Sequence, residues 1–209
     1  HYSNDVISTM DQETSQIVDY LQNPETPGLW NRRGLVMGYV QSGKTSNYTG
    51  VISKAADAGY KVIIVIAGVN NNLRNQTQIR IEEEFIGRDT SNLLHSSKQK
   101  TLTGVGIIES TRFPGTFTSS QRDFNKATAT GVGIPLQNMK EPAVLVIKKN
   151  ASILKNLLEW LKFNNIPADA EKIIEPMLLI DDEADNASIN TKYSKEKVTK
   201  INEQIRGLL

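Results

Sequence analysis

The residues from Gly38 to Thr45 are the first group whose types and spacing could do chemistry, because they match the pattern G-x-x-x-x-G-K-[ST] without a gap. Glycines at both ends allow a tight turn whose amide hydrogens surround a phosphate. Lys44 would bring positive charge to the β- and γ-phosphates of a nucleotide, and Thr45 would offer a hydroxyl to Mg²⁺. The residues predicted to bind the nucleotide are Gly38, Gln41, Ser42, Gly43, Lys44 and Thr45. The alternative is a chance glycine turn beside an exposed lysine.

A second group is acidic and follows the short apolar run Leu178-Leu179-Ile180. Apolar residues that lead into adjacent carboxylates are typical of the second half of a nucleotide-hydrolysing site. Asp182 would hold Mg²⁺ opposite Thr45, and Glu183 would orient the attacking water and accept its proton. We therefore predict Lys44 and Glu183 as catalytic residues, and Thr45 and Asp182 as magnesium residues. The neighbouring Asp181 leaves the register open, and an acidic N-cap of the next helix is the alternative.

Strands and helices must position these two groups, and the apolar pattern predicts both kinds of element. Near-continuous apolar runs of strand length indicate strands buried on both faces, and three- and four-residue spacing indicates helices. The predicted strands are residues 34–40, 61–67, 143–147 and 177–180. The predicted helices are residues 5–21, 46–58, 73–85 and 151–163, with a further helix in the polar tail 192–209. Alternation of strands and helices favours an α/β fold with a mostly parallel sheet and helices on both faces.

The middle of the chain has a weaker pattern. Residues 105–109 could form a strand, whereas residues 111–137 are rich in Thr, Ser and Gly and show little periodicity. We predict a long loop or a small insertion there, and we expect residues 111–130 to be poorly ordered without a nucleic-acid ligand.

Composition excludes several classes of protein. The 209 residues contain no cysteine, which removes disulfide frameworks and thiolate metal sites and fits a reducing cytoplasm. No apolar run approaches the ~20 residues of a membrane span, so no membrane partner is expected. The formal net charge of +1 indicates no global basic field, although a local basic groove stays open. The first residue, His1, is not an initiator Met and no signal peptide follows it, so we expect a fragment of a longer protein.

The phosphate loop together with Asp182-Glu183-Ala184-Asp185 resembles the motif I and motif II pair of superfamily 2 helicases and related translocases. Leu73-Arg74-Asn75-Gln76 is similar to the Leu-x-x-Gln that begins the helix of motif Ia. The resemblance implies a three-layer RecA-like P-loop NTPase domain over residues 31–209, preceded by an N-terminal helical extension over residues 1–30. It also implies ATP and Mg²⁺ as cofactors and contact with a nucleic-acid backbone.

A closer resemblance covers most of the chain. The phosphate loop with Ser46-Asn47-Tyr48, the run Val65-Ile66-Ala67-Gly68, the segment from Val144 to Asn150, and Leu179 to Asp185 look like the bacterial Z1 (Z-one) domain proteins. These are described as endonucleases or helicase-like ATPases of restriction-modification and defence loci. In that family a Thr-Ala-Thr-Pro element (motif III) and a second RecA-like domain with an arginine finger would follow residue 209. The fragment is therefore expected to bind nucleotide but to hydrolyse it poorly or not at all.

Three functions follow as hypotheses. The first is the ATP-binding domain of a nucleic-acid-dependent ATPase, helicase- or translocase-like, from a bacterial DNA restriction or defence protein, whose full-length parent is expected to bind nucleic acid, with DNA favoured. The second is a nucleotide-dependent endonuclease with its nuclease site outside this fragment. The third is a P-loop module that senses ATP without moving on DNA.

Other residues give weaker signals. The chain has His1 and His95 as its only histidines and no D/E-x-K triplet, so a nuclease core is not visible. Glu82-Glu83-Glu84 is read as a solvated helix face rather than a metal cluster. Trp30 and Tyr20 could stack on adenine, although a packing role is favoured, and Trp160 is predicted to pack in the core. A plain surface role is favoured for most of the basic residues that could line a phosphate-binding groove, which are Arg74, Arg80, Lys98, Lys100, Arg112, Arg122, Lys148 and Lys149. The exception is the stretch from Asn70 to Arg74, because its position just past a strand end is where α/β sheets bind ligands.

Overall fold

A computed structural model of the chain describes residues 3–38, 43–91, 101–167, 170, 172–195 and 197–209. The side chains of Lys44 and Lys195 lie outside this description. Of the predicted site, Gln41 and Ser42 also fall outside the described residues, as do Lys98 and Lys100 of the predicted groove.

Four parallel strands form one sheet. They are β1 (Val62–Ala67), β2 (Gly115–Thr116), β3 (Ala143–Lys148) and β4 (Met177–Asp181), in the spatial order β2-β3-β1-β4. The three predicted strands at 61–67, 143–147 and 177–180 are confirmed to within one residue at either end. All six residues of β1 are fully buried, as expected for a central strand of a parallel sheet that is covered on both faces.

Alternate side chains of β1 enter two separate cores, one on each face of the sheet. Val62, Ile64 and Ile66 pack with α6 (Ala151–Asn164) and α7 (Lys200–Leu208). The intervening residues of β1 pack with α2 (Lys44–Ala58) and with the end of α3 (Asn71–Ile81). The fold is therefore α/β, with a four-stranded all-parallel sheet and helices on both faces, as the alternating pattern predicted.

Asparagine caps set the starts of two helices that follow directly on strands. The Asn70 Oδ1 accepts the backbone N–H of Leu73 at 2.9 Å, and the Asn150 Oδ1 accepts that of Ser152 at 2.9 Å. The first cap explains why α3 begins two residues before the predicted start at residue 73. A π-helical turn (Glu82–Ile86) then extends α3 to the predicted end.

The N-terminal helix α1 (Asn4–Asp19) agrees with the prediction of residues 5–21. It packs along α2, where the Lys54 ammonium lies 2.7 Å from the Asp11 carboxylate. The boundary predicted at residue 30 stays a prediction.

The strand predicted over residues 34–40 is wrong for its described part. Residues 34–38 are irregular and exposed, with Leu35 77% and Met37 85% accessible to solvent. A strand requires a hydrogen-bonding neighbour, and in the described ranges β4 pairs only with β1. An apolar run by itself therefore was not enough to place these residues in the sheet.

The Thr- and Ser-rich middle is packed, which corrects the prediction of a poorly ordered loop. It contains β2, the helix α5 (Lys126–Val132) and a 3₁₀ turn (Leu136–Asn138). Phe117 and Phe124 lie with their ring centroids 4.8 and 5.5 Å from that of Trp160, so Trp160 is a core residue as predicted. The strand considered at 105–109 is instead the short helix α4 (Val105–Ile108), with Ile108 90% exposed.

The predicted helical tail 192–209 is helical only in part. A 3₁₀ turn (Tyr193–Lys195) precedes α7, whose Ile205 and Leu208 are buried against α6. In the described part of the chain, no helix is both long enough and apolar enough to cross a membrane.

Candidate functional site

The candidate site lies at the carboxyl edge of the sheet, where parallel strands commonly present ligand-binding residues. β1 ends at Ala67, β3 at Lys148 and β4 at Asp181, and these strands are adjacent. The turns that follow these strands carry Gly68, Lys149 and the acidic residues from Asp182 onward. α2 packs against β4, and Tyr48 in the first half of α2 is near enough to Asp182 to be affected by its charge.

The described part of the glycine loop fits a turn into a helix. Gly43 has φ 77°, a left-handed conformation that favours glycine, and α2 begins at the next residue, Lys44. In the described residues no side chain accepts a hydrogen bond from the first turn of α2, and N–H groups at the start of a helix can bind an anion. Thr45 is half-buried in this turn, whereas Gly38 is exposed in an irregular segment.

Tyr48 lies one helical turn after Thr45 and was not singled out from the sequence. Its hydroxyl is buried beside the side chains of Thr45 and Thr77, and it has no partner with hydrogen-bond geometry in the described structure. Burial, together with the negative charge of Asp182, raises the pKa of Tyr48 to about 12, although Thr45, Thr77 and Arg80 act in the opposite direction. The Tyr48 hydroxyl is therefore near enough to Asp182 to be affected by its charge, and α2 packs against β4, the strand that leads into the acidic turn. The sequence did contain one signal for Tyr48: it lies three residues after Thr45, and residues at this spacing share a face of a helix.

The acidic turn begins as a continuation of the sheet. Asp181 pairs with Ile66 in register, and the backbone N–H of Asp182 still donates to the Ile66 carbonyl at 3.0 Å. The Asp182 carboxylate then accepts the N–H of Glu183 at 3.0 Å. Asp182 is half-buried and Glu183 is exposed, so both carboxylates can face a ligand.

Glu183 has an unusual backbone. Its φ is 53°, and Ala187 with φ 62° is the other non-glycine residue with positive φ in the described ranges. A non-glycine residue in such a region costs about 1–3 kcal/mol and persists only where its surroundings hold it. Backbone strain of this kind is enriched at functional sites.

Gly68 leaves room for both α3 and Glu183 at the end of β1. A Cβ on Gly68 would lie 2.6 Å from Leu73 Cδ1 and 3.5 Å from the Glu183 carboxylate. The first distance is too short for a Cβ, so the Leu73 side chain would have to shift to admit one. The second shows that the Glu183 carboxylate lies over the carboxyl end of β1.

Two members of the predicted basic groove are buried instead. Arg74 is 2% exposed, and its guanidinium donates to the Ser119 carbonyl at 2.7 Å and the Ser120 carbonyl at 3.0 Å. The Lys149 side chain is 0% exposed. Neither residue can line a surface groove, because each uses its charge within the fold.

The Glu82-Glu83-Glu84 run is not a uniform solvated face. Glu83 is exposed, whereas Glu82 is 4% exposed and accepts hydrogen bonds from Gln78 and Thr90. Glu84 forms an ion pair with Arg80 at 2.8 Å. The π-helical turn makes the difference, because it changes which side chains face the core. The described residues contain no group of three or more His, Cys, Asp or Glu side chains placed to hold a metal ion.

The two aromatic residues upstream of the loop differ in environment. Trp30 packs edge-on against Tyr60, with ring centroids 6.0 Å apart, which agrees with the favoured packing role. Tyr20 follows the last residue of α1 and is 77% exposed, so the packing role favoured for it is wrong.

Comparison of the chain with protein-family models, with curated proteins and with solved structures gives no significant match.

Proposed function

We propose that this chain is the ATP-binding domain of a nucleic-acid-dependent ATPase with a RecA-like, helicase- or translocase-related core. The observation that carries the proposal is the packing of α2, the helix that follows the glycine loop, against β4, the strand that leads into the acidic pair. The glycine loop leads through Gly43 into α2, while Asp182 and Glu183 follow β4 beside Tyr48 of α2. A P-loop NTPase needs this pairing of a helix amino terminus with a carboxylate at a neighbouring strand end.

In this proposal the backbone N–H groups of the first turn of α2 bind the phosphates of ATP, together with Gly38, Gln41, Ser42 and the Lys44 ammonium. Thr45 and Asp182 are the residues that would hold Mg²⁺. When bound, the ion would neutralise charge on the phosphates. Glu183 orients a water molecule and accepts its proton, a role that suits an exposed carboxylate beside the site.

The first experiment measures ATP binding in the presence of Mg²⁺ by titration calorimetry. Lys44→Ala is expected to abolish detectable binding, because the ammonium that faces the phosphates is lost. Lys54→Ala is the matched control, since Lys54 lies on the same helix but pairs with Asp11 of α1. Unchanged ATP affinity in Lys44→Ala would refute the phosphate-loop assignment.

A second arm separates a motor from a sensing module. Glu183→Gln should keep ATP affinity and lose turnover in the full-length protein, because the proton acceptor is gone. Wild-type turnover is then measured with and without single-stranded and duplex DNA. Strong stimulation supports the nucleic-acid-dependent ATPase, whereas turnover that ignores both forms of DNA favours the ATP-sensing module.

A further inference from the structure

Lys149 follows β3 directly, and its ammonium is enclosed between β3 and the acidic turn. The Lys149 side chain is 0% exposed, and no other lysine among the described residues is buried. Burial of an ammonium group is costly unless its donors are satisfied and its charge is compensated. The partners of this group therefore indicate what it does.

Among the described residues, the oxygens that the ammonium contacts all belong to the segment 181–186. The Nζ donates to the carbonyl oxygens of Asp182 at 2.8 Å, Glu183 at 2.7 Å and Asn186 at 3.1 Å. It also lies 2.9 Å from the Asp181 carboxylate. Three carbonyls of one short turn thus converge on a single cation.

This convergence requires the turn to adopt its left-handed conformation at Glu183. With φ 53° at that residue, the carbonyls on both sides of it point inward to Lys149. Apart from these contacts, the described hydrogen bonds within the turn are few: Asn186 N–H to the Glu183 carbonyl at 2.8 Å and Glu183 N–H to the Asp182 carboxylate at 3.0 Å. The ammonium therefore supplies most of the polar contacts that define the turn.

We propose that Lys149 is a positioning residue, which fixes the backbone of residues 182–186 and thereby aims the Asp182 and Glu183 carboxylates. Its role as an aid to magnesium binding rests on the function proposed above. The pairing with Asp181 also commits that carboxylate to Lys149, which leaves Asp182 as the carboxylate available to a cation.

The test compares Lys149→Met with Lys148→Met, the adjacent lysine, whose ammonium bonds to Asn71 at the surface. The first readout is amide hydrogen exchange in the nucleotide-free protein. Lys149→Met should accelerate exchange of the 182–186 amides by about tenfold or more and leave β1 and α6 unchanged. Lys148→Met should leave the turn as in the wild type.

The second readout is nucleotide affinity with Mg²⁺ and with EDTA. Loss of support behind a metal ligand commonly reduces metal affinity about 10–100-fold. Lys149→Met should therefore weaken Mg²⁺-dependent ATP binding by about tenfold or more, and metal-free binding should change little. A merely structural lysine would weaken both equally.

Each remaining outcome is decisive. Unchanged exchange in the turn, or uniform acceleration throughout the chain, overturns the positioning role. If Lys149→Met does not fold, the double variant Lys149→Met/Asp181→Asn is tested, because it also removes the carboxylate that has lost its cation. If neither variant folds, Lys149 contributes to general stability and the positioning role is overturned. Should the wild type bind no ATP, the proposed function fails while the exchange result still decides the role of Lys149 in the turn.

Discussion

Two adjacent aspartates have different surroundings at the end of β4. Asp181 belongs to the strand, and its carboxylate forms an ion pair with the buried Lys149 ammonium at 2.9 Å. Asp182 lies one residue beyond the strand and is half-buried next to Tyr48 of α2. The sequence leaves these two carboxylates equivalent, whereas the structure gives one of them a partner inside the fold.

Because of this difference, replacing Asp181 should affect mainly stability, whereas replacing Asp182 should affect mainly Mg²⁺-dependent ATP binding. Asp181→Asn should lower the free energy of unfolding by about 1–3 kcal/mol, because the buried Lys149 ammonium loses a charged partner. Asp182→Asn should change stability by less than about 0.5 kcal/mol, as is usual away from such features, and should weaken Mg²⁺-dependent ATP binding about tenfold. Urea unfolding and calorimetry of both variants check these expectations. If Asp181→Asn weakens Mg²⁺-dependent ATP binding and Asp182→Asn does not, Asp181 is the magnesium residue.

Because β2 has only two residues, it pairs with only part of the outer edge of β3. Side chains bond to other backbone groups of β3. Beyond β2, the Val146 N–H donates to the Thr118 hydroxyl at 3.0 Å, and the Lys148 N–H donates to the Asp123 carboxylate at 3.1 Å. Arg74 donates to the Val146 carbonyl at 3.4 Å. The polar middle segment therefore satisfies backbone groups that a longer strand would otherwise pair.

Contact between α1 and α2 depends on a close approach at Gly50. A Cβ at this position would lie 2.9 Å from the Cγ2 of Thr14, which is itself buried. Alanine favours a helix over glycine by about 1 kcal/mol. Overpacking costs about 1–3 kcal/mol, so Gly50→Ala alone should leave stability unchanged or lower it.

In a Thr14→Ser background the methyl group is gone, and Gly50→Ala should then stabilise the protein by about 1 kcal/mol. The serine hydroxyl can keep the 2.7 Å bond that Thr14 makes to the Met10 carbonyl. Urea unfolding of the four proteins in this double-mutant cycle should give a coupling of at least about 0.5 kcal/mol. Additive effects would contradict the packing of α1 on α2.

Asp123 connects three parts of the whole molecule: α3, the middle segment and β3. Burial raises the pKa of its carboxyl above 3.8, although the Phe124 N–H, the Arg74 guanidinium, and the N–H and charge of Lys148 act in the opposite direction. A raised carboxyl pKa means that the folded state binds a proton more tightly than the unfolded state does. The contribution of Asp123 to stability is therefore largest at low pH and falls as the pH rises through the folded-state pKa.

The pH dependence of folding should show this sign when the wild type is compared with Asp123→Asn, which does not titrate. The free energy of unfolding of the wild type, relative to that of the variant, should fall from about pH 4 upward and level off above the raised pKa. Urea unfolding across this range checks the slope, with Glu83→Gln as a control at an exposed glutamate. If the free energy of unfolding of the wild type, relative to that of Asp123→Asn, rises with pH, then burial is not the main influence on the pKa of Asp123.

The sequence by itself determined β1, β3 and β4, the helices α1, α2, α3 and α6, and the strand end that carries Asp182. These elements were predictable because their burial is encoded in local apolar runs and periodicity, which need no knowledge of partners. The glycine loop and the acidic pair were recognisable for a similar reason, since each motif is contiguous.

Only the tertiary structure decided which polar residues are buried. Arg74 and Lys149 belong to residue types that are almost always exposed unless they are paired, and their burial depends on partners far along the chain. The same reasoning applies to Thr118 and Asp123, whose hydrogen bonds to β3 convert a segment that was predicted as a loop into part of the core. Conversely, Leu35 and Met37 form an apolar run that was predicted to be a strand, and they remain exposed because backbone hydrogen bonds require a neighbouring strand.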